Sequence, residues 1–384
     1  MTGFDFECIP RIISRDGASA GLAVLAGERG IRRPFVVTDR ALLNTGILQG
    51  ALDGCVAAGV APVVWADVQP DPPDRSVVAA VAEARDSDVD GVIGFGGGSS
   101  MDTAKLVALL ASTGQALDET YGIGLARGPR LPLIQVPTTA GTGSETTCIA
   151  IVTTNAGEKK GVVSPHLYAD IAVLDPTLTL GLPPRVTAMT GIDAMVHAIE
   201  AYTSRHKKNM LSDTLSHRAL SLLSGNLLRV LRDGSDLPAR RAMLQGSMLA
   251  GMAFANAPVG AVHALAYPLG GRFHVPHGQS NALVLVPVLE FNAPAAGAMY
   301  GELARDFLDG DRAACNAPTA EEFIRASAAL VSAMPFEQRL RDVGVREDDL
   351  PALATDAMKV QRLLVNNPRE VTYADALAIY RSVY

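Results

Sequence analysis

Two sequence textures meet near Leu182-Pro183-Pro184, and that change constrains the fold more than any other feature of the chain. From Arg33 to about Asp175, short Val/Ile-rich runs alternate with longer Ala/Leu-rich segments. The runs are PFVVTD at 34–39, PVVWADV at 62–68, GVIGFG at 91–96, LPLIQVPTT at 131–139 and DIAVLDP at 170–176. Apolar runs without polar alternation read as strands covered on both faces, which is how parallel sheets are built. Between the first three, ALLNTGILQGALDGCVAAG and SVVAAVAEARDSD carry apolar positions at helical spacing. From Arg185 onward β-branched runs nearly vanish and Ala/Leu/Met helices take over, with the Pro pair suited to a helix start. The expectation is an α/β domain over residues 1–180 and an all-α domain over residues 181–384.

Composition narrows the class of protein. With 384 residues, 48% hydrophobic and 19% charged, the chain can bury enough apolar surface to offset its conformational entropy, which excludes wholesale disorder. The net charge is −7, and the densest basic cluster, Arg205, Lys207 and Lys208, is too small to track a phosphate backbone, so no nucleic acid partner is expected. Cys8, Cys55, Cys148 and Cys315 are scattered without a C-x-x-C pair, which argues against a disulfide framework and against a cysteine-built zinc site. The opening MTGFDFECIPRII carries acids where a signal peptide carries a basic region, and no uncharged apolar run of transmembrane length follows. A soluble, cytoplasmic protein without a membrane partner is expected.

Three features of the first half point to a dinucleotide. GFGGGSSMDTAK at 94–105 follows a strand and opens a helix, so glycine N–H groups and a helix N-terminus converge where a diphosphate can sit. It lacks the last glycine of G-x-G-x-x-G, so taken alone it reads equally as a tight strand-to-helix turn. Asp39 ends the first strand of the layer, where a carboxylate can accept bonds from ribose hydroxyls and repel a 2′-phosphate; this favours NAD over NADP, although Arg40 follows it directly. The same Asp can simply cap the next helix. Because the acid precedes the glycine loop, the strand order must differ from the simple dinucleotide fold. The third feature, PTTAGTGSETT at 137–147, is a hydroxyl- and glycine-dense loop at the carboxyl end of a strand, where open α/β sheets bind ligands.

The second half points to a metal. In TGIDAMVHAIEAYTS at 190–204, Asp193 and His197 lie four apart on one helix face, a spacing also common in surface contacts. VHALAYPLGGRFHVPHGQSNALVLV at 262–286 brings His263, His274 and His277 into one apolar stretch, in a chain with only seven histidines. Burying several imidazoles carries a desolvation penalty that a shared divalent cation offsets. Three histidines and a carboxylate form an N/O set suited to Fe²⁺ or Zn²⁺, and the lack of a thiolate argues against structural zinc.

GGGSSMDTAK, PTTAGTGSE, GIDAMVHAIEAYTS and HALAYPLGGRFHVPHG together resemble the successive signature blocks of the iron-containing (group III) alcohol dehydrogenases, from about residue 5 to the NNPRE segment. The resemblance implies the dehydroquinate synthase-like fold, an N-terminal α/β dinucleotide-binding domain and an all-α C-terminal domain, with the active site in the cleft between them. It implies metal ligands Asp193, His197, His263 and His277, and cofactor contacts at Asp39, Gly97, Gly98, Ser99, Asp102, Thr138, Thr139, Thr142 and Lys160. The implied activity is that of an NAD-linked alcohol dehydrogenase or aldehyde reductase acting on a small alcohol, diol or hydroxy acid, and the implied assembly a homodimer or larger homo-oligomer. Many members carry a further histidine four residues after the third ligand, where this chain has Tyr267. Proton relay through Tyr267, through His274, or through the ribose hydroxyls remains open, while His166, His206 and His217 match no ligand position.

Alternatives on the same fold are a maleylacetate reductase and a zinc glycerol dehydrogenase. The former departs from the SSMDTAK pattern and the complete ligand set, both of which are present here. A dehydroquinate-synthase-like lyase needs Lys and Arg for a phosphorylated sugar acid, and the helical half shows no such set around its histidines. A non-catalytic nucleotide or metal sensor would carry a damaged site.

Overall fold

The computed structural model describes residues 3–155, 157–307 and 318–384. Its contacts divide the chain into Glu7–Gly181 and a second unit of Leu182–Tyr384 joined by the residues ahead of Glu7.

The first unit is built on a six-stranded sheet. Its strands are β1 (Ile12–Ser14), β2 (Pro34–Val37), β3 (Val63–Trp65), β4 (Gly91–Gly96), β6 (Leu133–Pro137) and β9 (Ile171–Leu174), in the order β1-β9-β6-β4-β2-β3, with every pairing parallel. Alternate residues of the central strands enter two separate cores: Phe35, Val92 and Leu133 on one face, Val36, Ile93 and Ile134 on the other. The first core is covered by α4 (Asp74–Asp86) and α5 (Gly98–Thr113), the second by α1 (Leu22–Glu28) and α3 (Gln49–Ala57). Two-sided burial is why these strands show no polar alternation.

The chain runs from β2 outward to β3, returns past β2 to β4, then continues to β6 on the opposite side. That reversal is a topological switch point, where open α/β sheets leave a crevice at the carboxyl ends of their strands. It also explains why Asp39, after β2, precedes the glycine loop after β4.

Three local features depart from the sequence reading. The stretch 41–59 forms two helices, α2 (Arg40–Asn44) and α3, interrupted near Gly46, whose φ of 75° is a left-handed conformation that ends a helix. The short edge strand β1 was not anticipated. Nor was a second sheet of order β5-β8-β7, in which β7 (Ile149–Thr153) and β8 (Lys159–Val163) pair antiparallel and β5 (Gly122–Ile123) adds parallel to β8.

The second unit is helical: α6 (Pro184–Tyr202), α7 (Met210–Arg232), α8 (Leu237–Asn256), α9 (Ala261–Phe273), α10 (His277–Phe307), α11 (Ala320–Ser332), α12 (Leu350–Met358), α13 (Gln361–Leu364) and α14 (Tyr373–Ser382). Pro184 opens α6 at its first turn, where the missing N–H has no intrahelical partner to lose. Asn209 opens α7 with a reciprocal capping box to Ser212. Helix α6 packs against α7, α8 and α10 and is buried on all sides from Gly191 to Tyr202. Helix α10 is long and apolar enough to cross a bilayer, and half of its most apolar window is buried inside the unit.

Candidate metal centre

A helix buried all round has no polar face to present to water, so each polar residue inside it requires a partner. In its fully buried stretch α6 carries Asp193, His197 and Glu200, at successive spacings of four and three residues along one face, with exposures of 2%, 5% and 6%. His263 is the third residue of α9 and His277 the first of α10, so two helix starts are aimed at the same point of α6.

All three imidazoles converge on one carboxylate oxygen. Asp193 Oδ1 lies 3.9 Å from His197 Nε2, 3.8 Å from His263 Nε2 and 3.5 Å from His277 Nε2. Ligands held about 2.1 Å from a tetrahedral cation are about 3.4 Å apart, so each imidazole stands within about half an ångström of that spacing from Asp193. Asp193, His263 and His277 bring their ligand atoms within 4.8 Å of one another, while His197 faces Asp193 from outside that group. The His197 ring is stacked between Phe254 at 4.3 Å and His263 at 4.7 Å. Burial pushes the Asp193 carboxyl up, but the His197, His277 and His263 imidazoles and the Asn281 amide outweigh it and hold the group below the usual carboxylate range.

Two residues that the sequence reading did not single out orient this set. The Glu200 carboxylate accepts the Nδ1–H of His263 at 2.6 Å and, through its other oxygen, the backbone N–H of Val262 at 2.7 Å. His263 therefore carries its proton on Nδ1 and turns the Nε2 lone pair inward, the tautomer a metal requires. Asn281, fully buried one turn after His277, donates from Nδ2 to Asp193 Oδ1 at 2.7 Å and faces the Nε2 atoms of His263 at 3.3 Å and His277 at 3.4 Å. The donor set, its tautomer and its spacing fit Fe²⁺ or Zn²⁺. A helix-packing constraint holds α10 in place, because a Cβ on Gly278 would lie 2.1 Å from the Met189 carbonyl oxygen of α6.

The two relay candidates differ in position. Tyr267, one turn after His263, has its ring 5.9 Å from that of His277, and its hydroxyl accepts a 3.4 Å contact from Arg362. His274 does not join the ligand group: it is exposed and ends α9 in a left-handed conformation with φ of 55°.

In the α/β unit, Gly97 caps α5 and Gly98 begins it, with Ser99 in the same first turn. A Cβ on Gly98 would lie 2.6 Å from the Thr142 methyl, and one on Gly97 would touch Thr139 at 3.5 Å, so the glycine and hydroxyl loops are in direct contact. Thr138 is buried, and its N–H bonds the Gly96 carbonyl. Asp102 accepts from Ser144 Oγ at 2.6 Å and from the Ile151 N–H at 2.9 Å, which ties α5 to both the loop and β7. Lys160 pairs in register with Val152, one residue beyond Ile151, and is exposed with Glu158 3.0 Å away. Asp39 caps α2 by accepting the Leu42 N–H at 2.8 Å, and Arg40 is engaged by Asp67 at 2.6 Å.

Beneath these loops lies Lys105, fully buried, which donates to Ser144 Oγ, Thr147 Oγ1 and the Ile149 carbonyl at 2.7 to 2.9 Å. Burial pushes its ammonium down and the neighbouring Asp102 carboxyl up, each partly offset by the other.

The family model described as "Iron-containing alcohol dehydrogenase" matches residues 10–176, and that of the C-terminal region of the Fe-containing alcohol dehydrogenase family matches residues 187–384. The sulfoacetaldehyde reductase of Bilophila wadsworthia is 37% identical over 350 residues, 90% of each chain. The crystal structure of a 1,3-propanediol oxidoreductase superposes with a TM-score of 0.95 at 32% identity over the whole of both chains. That of the sulfoacetaldehyde reductase from Bifidobacterium kashiwanohense, in complex with NAD⁺, superposes with a TM-score of 0.90 at 27% identity, covering 100% of this chain and 99% of the other.

Proposed function

The chain belongs to the iron-containing alcohol dehydrogenase family, and on that premise we propose that it interconverts a small alcohol and its aldehyde with NAD(H), holding one Fe²⁺ on Asp193, His197, His263 and His277. The observation that carries this reading is the convergence of three Nε2 atoms on Asp193 Oδ1 at 3.5 to 3.9 Å. A divalent cation there supplies Lewis-acid polarisation of the substrate oxygen, and the nicotinamide supplies or accepts the hydride.

The protein's own residues do the rest. Asp193 contributes the one negative charge of the ligand set, Glu200 fixes the His263 tautomer, and Asp193, His197 and His263 are buried, leaving His277 the partly exposed ligand on the open side. The Tyr267 hydroxyl is our candidate for holding the alcohol proton, since the exposed His274 stands apart from the ligand group. Gly97, Gly98 and Ser99 offer backbone N–H groups at the start of α5 for the diphosphate, and Thr138, Thr139 and Thr142 line the adjoining loop. Lys160 and Asp102 complete the proposed cofactor contacts, Asp102 by bracing the hydroxyl loop. NAD is favoured over NADP because Asp39 stands at the strand end and Arg40 is engaged by Asp67.

We further propose a cytoplasmic homodimer or larger homo-oligomer with no nucleic acid or membrane partner; the net charge of −7 speaks against a nucleic acid partner, and the scattered cysteines fit a reducing compartment. The test is NADH oxidation by the anaerobically iron-loaded protein against short aldehydes. Turnover supports the proposal, and its absence with every carbonyl and alcohol tried would favour a non-catalytic nucleotide or metal sensor.

A further inference from the structure

Arg362 sits on α13, a short helix packed against α9, the helix that carries His263 and Tyr267. Its Nη2 donates to the Tyr267 hydroxyl at 3.4 Å, and its guanidinium carbon lies 5.7 Å from the centre of the Tyr267 ring. The same ring is 5.9 Å from that of His277. A permanent positive charge is thus one aromatic ring away from a ligand of a proposed cation site.

A partly buried guanidinium has lost part of its hydration, and an anion would restore it. Two other cations of this region, Arg272 on α9 and Lys359 beside α12, both pair with Asp356, at 2.5 and 2.7 Å. Among the described residues, no carboxylate pairs with Arg362. Arg362 is partly buried, so its field is screened less than that of a surface arginine. A guanidinium presents five N–H donors in a planar fork that matches the oxygens of a carboxylate or sulfonate, and the contact with Tyr267 occupies only one edge of it.

We propose that the substrate is a short aldehyde or alcohol carrying an anionic group, a carboxylate or sulfonate, near the end opposite its reacting carbon, and that Arg362 binds this group. The assignment rests on the dehydrogenase reading above. It divides recognition between two charges of the helical unit, with the substrate oxygen directed to the ligand cluster and the remote anion to Arg362, which fixes orientation as well as affinity.

The experiment compares kcat/KM of the iron-loaded protein for succinic semialdehyde and sulfoacetaldehyde with that for butanal and propanal. We expect the anionic aldehydes to be preferred by about 30-fold or more, and Arg362→Met to bring the ratio close to one, chiefly through KM, with Arg362→Lys in between. The carboxylate and sulfonate arms identify which head group is taken. Competitive inhibition of the unaltered enzyme by propionate and ethanesulfonate, but not by propionamide, tests the same claim should the Met variant fail to fold. Neutral aldehydes used as well as charged ones, or a ratio untouched by Arg362→Met, would overturn the Arg362 assignment and leave the dehydrogenase reading standing. A protein that turns over no aldehyde would overturn both.

Discussion

His263 and Glu200 are joined at 2.6 Å by a hydrogen bond from the imidazole Nδ1–H, while the second oxygen of the same carboxylate accepts the Val262 N–H at the start of α9. One side chain of α6 thereby sets both the entry of α9 and the tautomer of its histidine. Glu200→Gln keeps an oxygen for Val262 but turns an amide donor towards Nδ1, which favours the tautomer with Nε2 protonated and closed to a metal. The expected result is a fall of about 10- to 100-fold in metal affinity, read by chelator competition, with helical content unchanged by circular dichroism. Unchanged affinity would remove Glu200 from the metal site.

Gly278 is where α10 meets α6, and a Cβ there would lie 2.1 Å from the Met189 carbonyl oxygen and 2.6 Å from its carbon. Backbone cannot rotate away as a side chain can, so Gly278→Ala must shift α10 and carry His277 with it. A loss of about 2 kcal/mol or more in unfolding free energy is expected, together with a reduced metal content per chain. A variant with native melting temperature and full metal content would show that the two helices are not in this contact.

Glu145 is 1% exposed, and burial pushes its carboxyl up to about 7, with the Lys105 ammonium opposing the shift. The sign follows from linkage: the folded state binds the proton more tightly than the unfolded chain, so the stabilising contribution is complete below pH about 4.5 and is lost as pH rises through about 7. Glu145→Gln mimics the neutral acid at every pH. It should be close to wild type in stability at pH 4.5 and more stable by roughly 1–3 kcal/mol at pH 8, measured by urea unfolding at both values. Equal stability at pH 8 would contradict the burial of an ionisable carboxyl.

Lys105 binds Ser144, Thr147 and the Ile149 carbonyl from below the hydroxyl loop. Lys105→Met leaves those buried acceptors without their donor, and the loop loses its fixed position against α5. The dissociation constant for NADH should rise by about tenfold in a fluorescence titration while metal content stays at the wild-type level. Loss of metal with unchanged NADH binding would contradict this division of labour.

How much of this was legible in the sequence follows from which signals are local. Asp193 and His197 were readable because helical spacing alone puts them on one face. Glu200 obeys the same spacing three residues later, and Asn281 stands four after His277, yet helix positions of this kind in Glu and Asn most often face water. Their role became visible only once α6 and α10 were seen to be buried. His274 lies three residues before His277, but it ends α9 in a left-handed conformation and is exposed, which the sequence pattern does not reveal. Arg362 reaches Tyr267 across 95 residues of sequence, a contact that no local pattern encodes. In the α/β unit the long apolar strands were plain, whereas the small β5-β8-β7 sheet was hidden because β5 has two residues and β8 opens with two lysines.

The most direct test of the account is metal content and NADH-dependent aldehyde reduction measured together, under anaerobic conditions, for the wild type and His277→Ala. We predict about one iron per wild-type chain, and a coupled loss of iron and turnover in the variant, because His277 Nε2 lies 3.5 Å from Asp193 Oδ1 and supplies one of the four ligand atoms. A variant that holds no metal and still turns over at the wild-type rate would contradict the account.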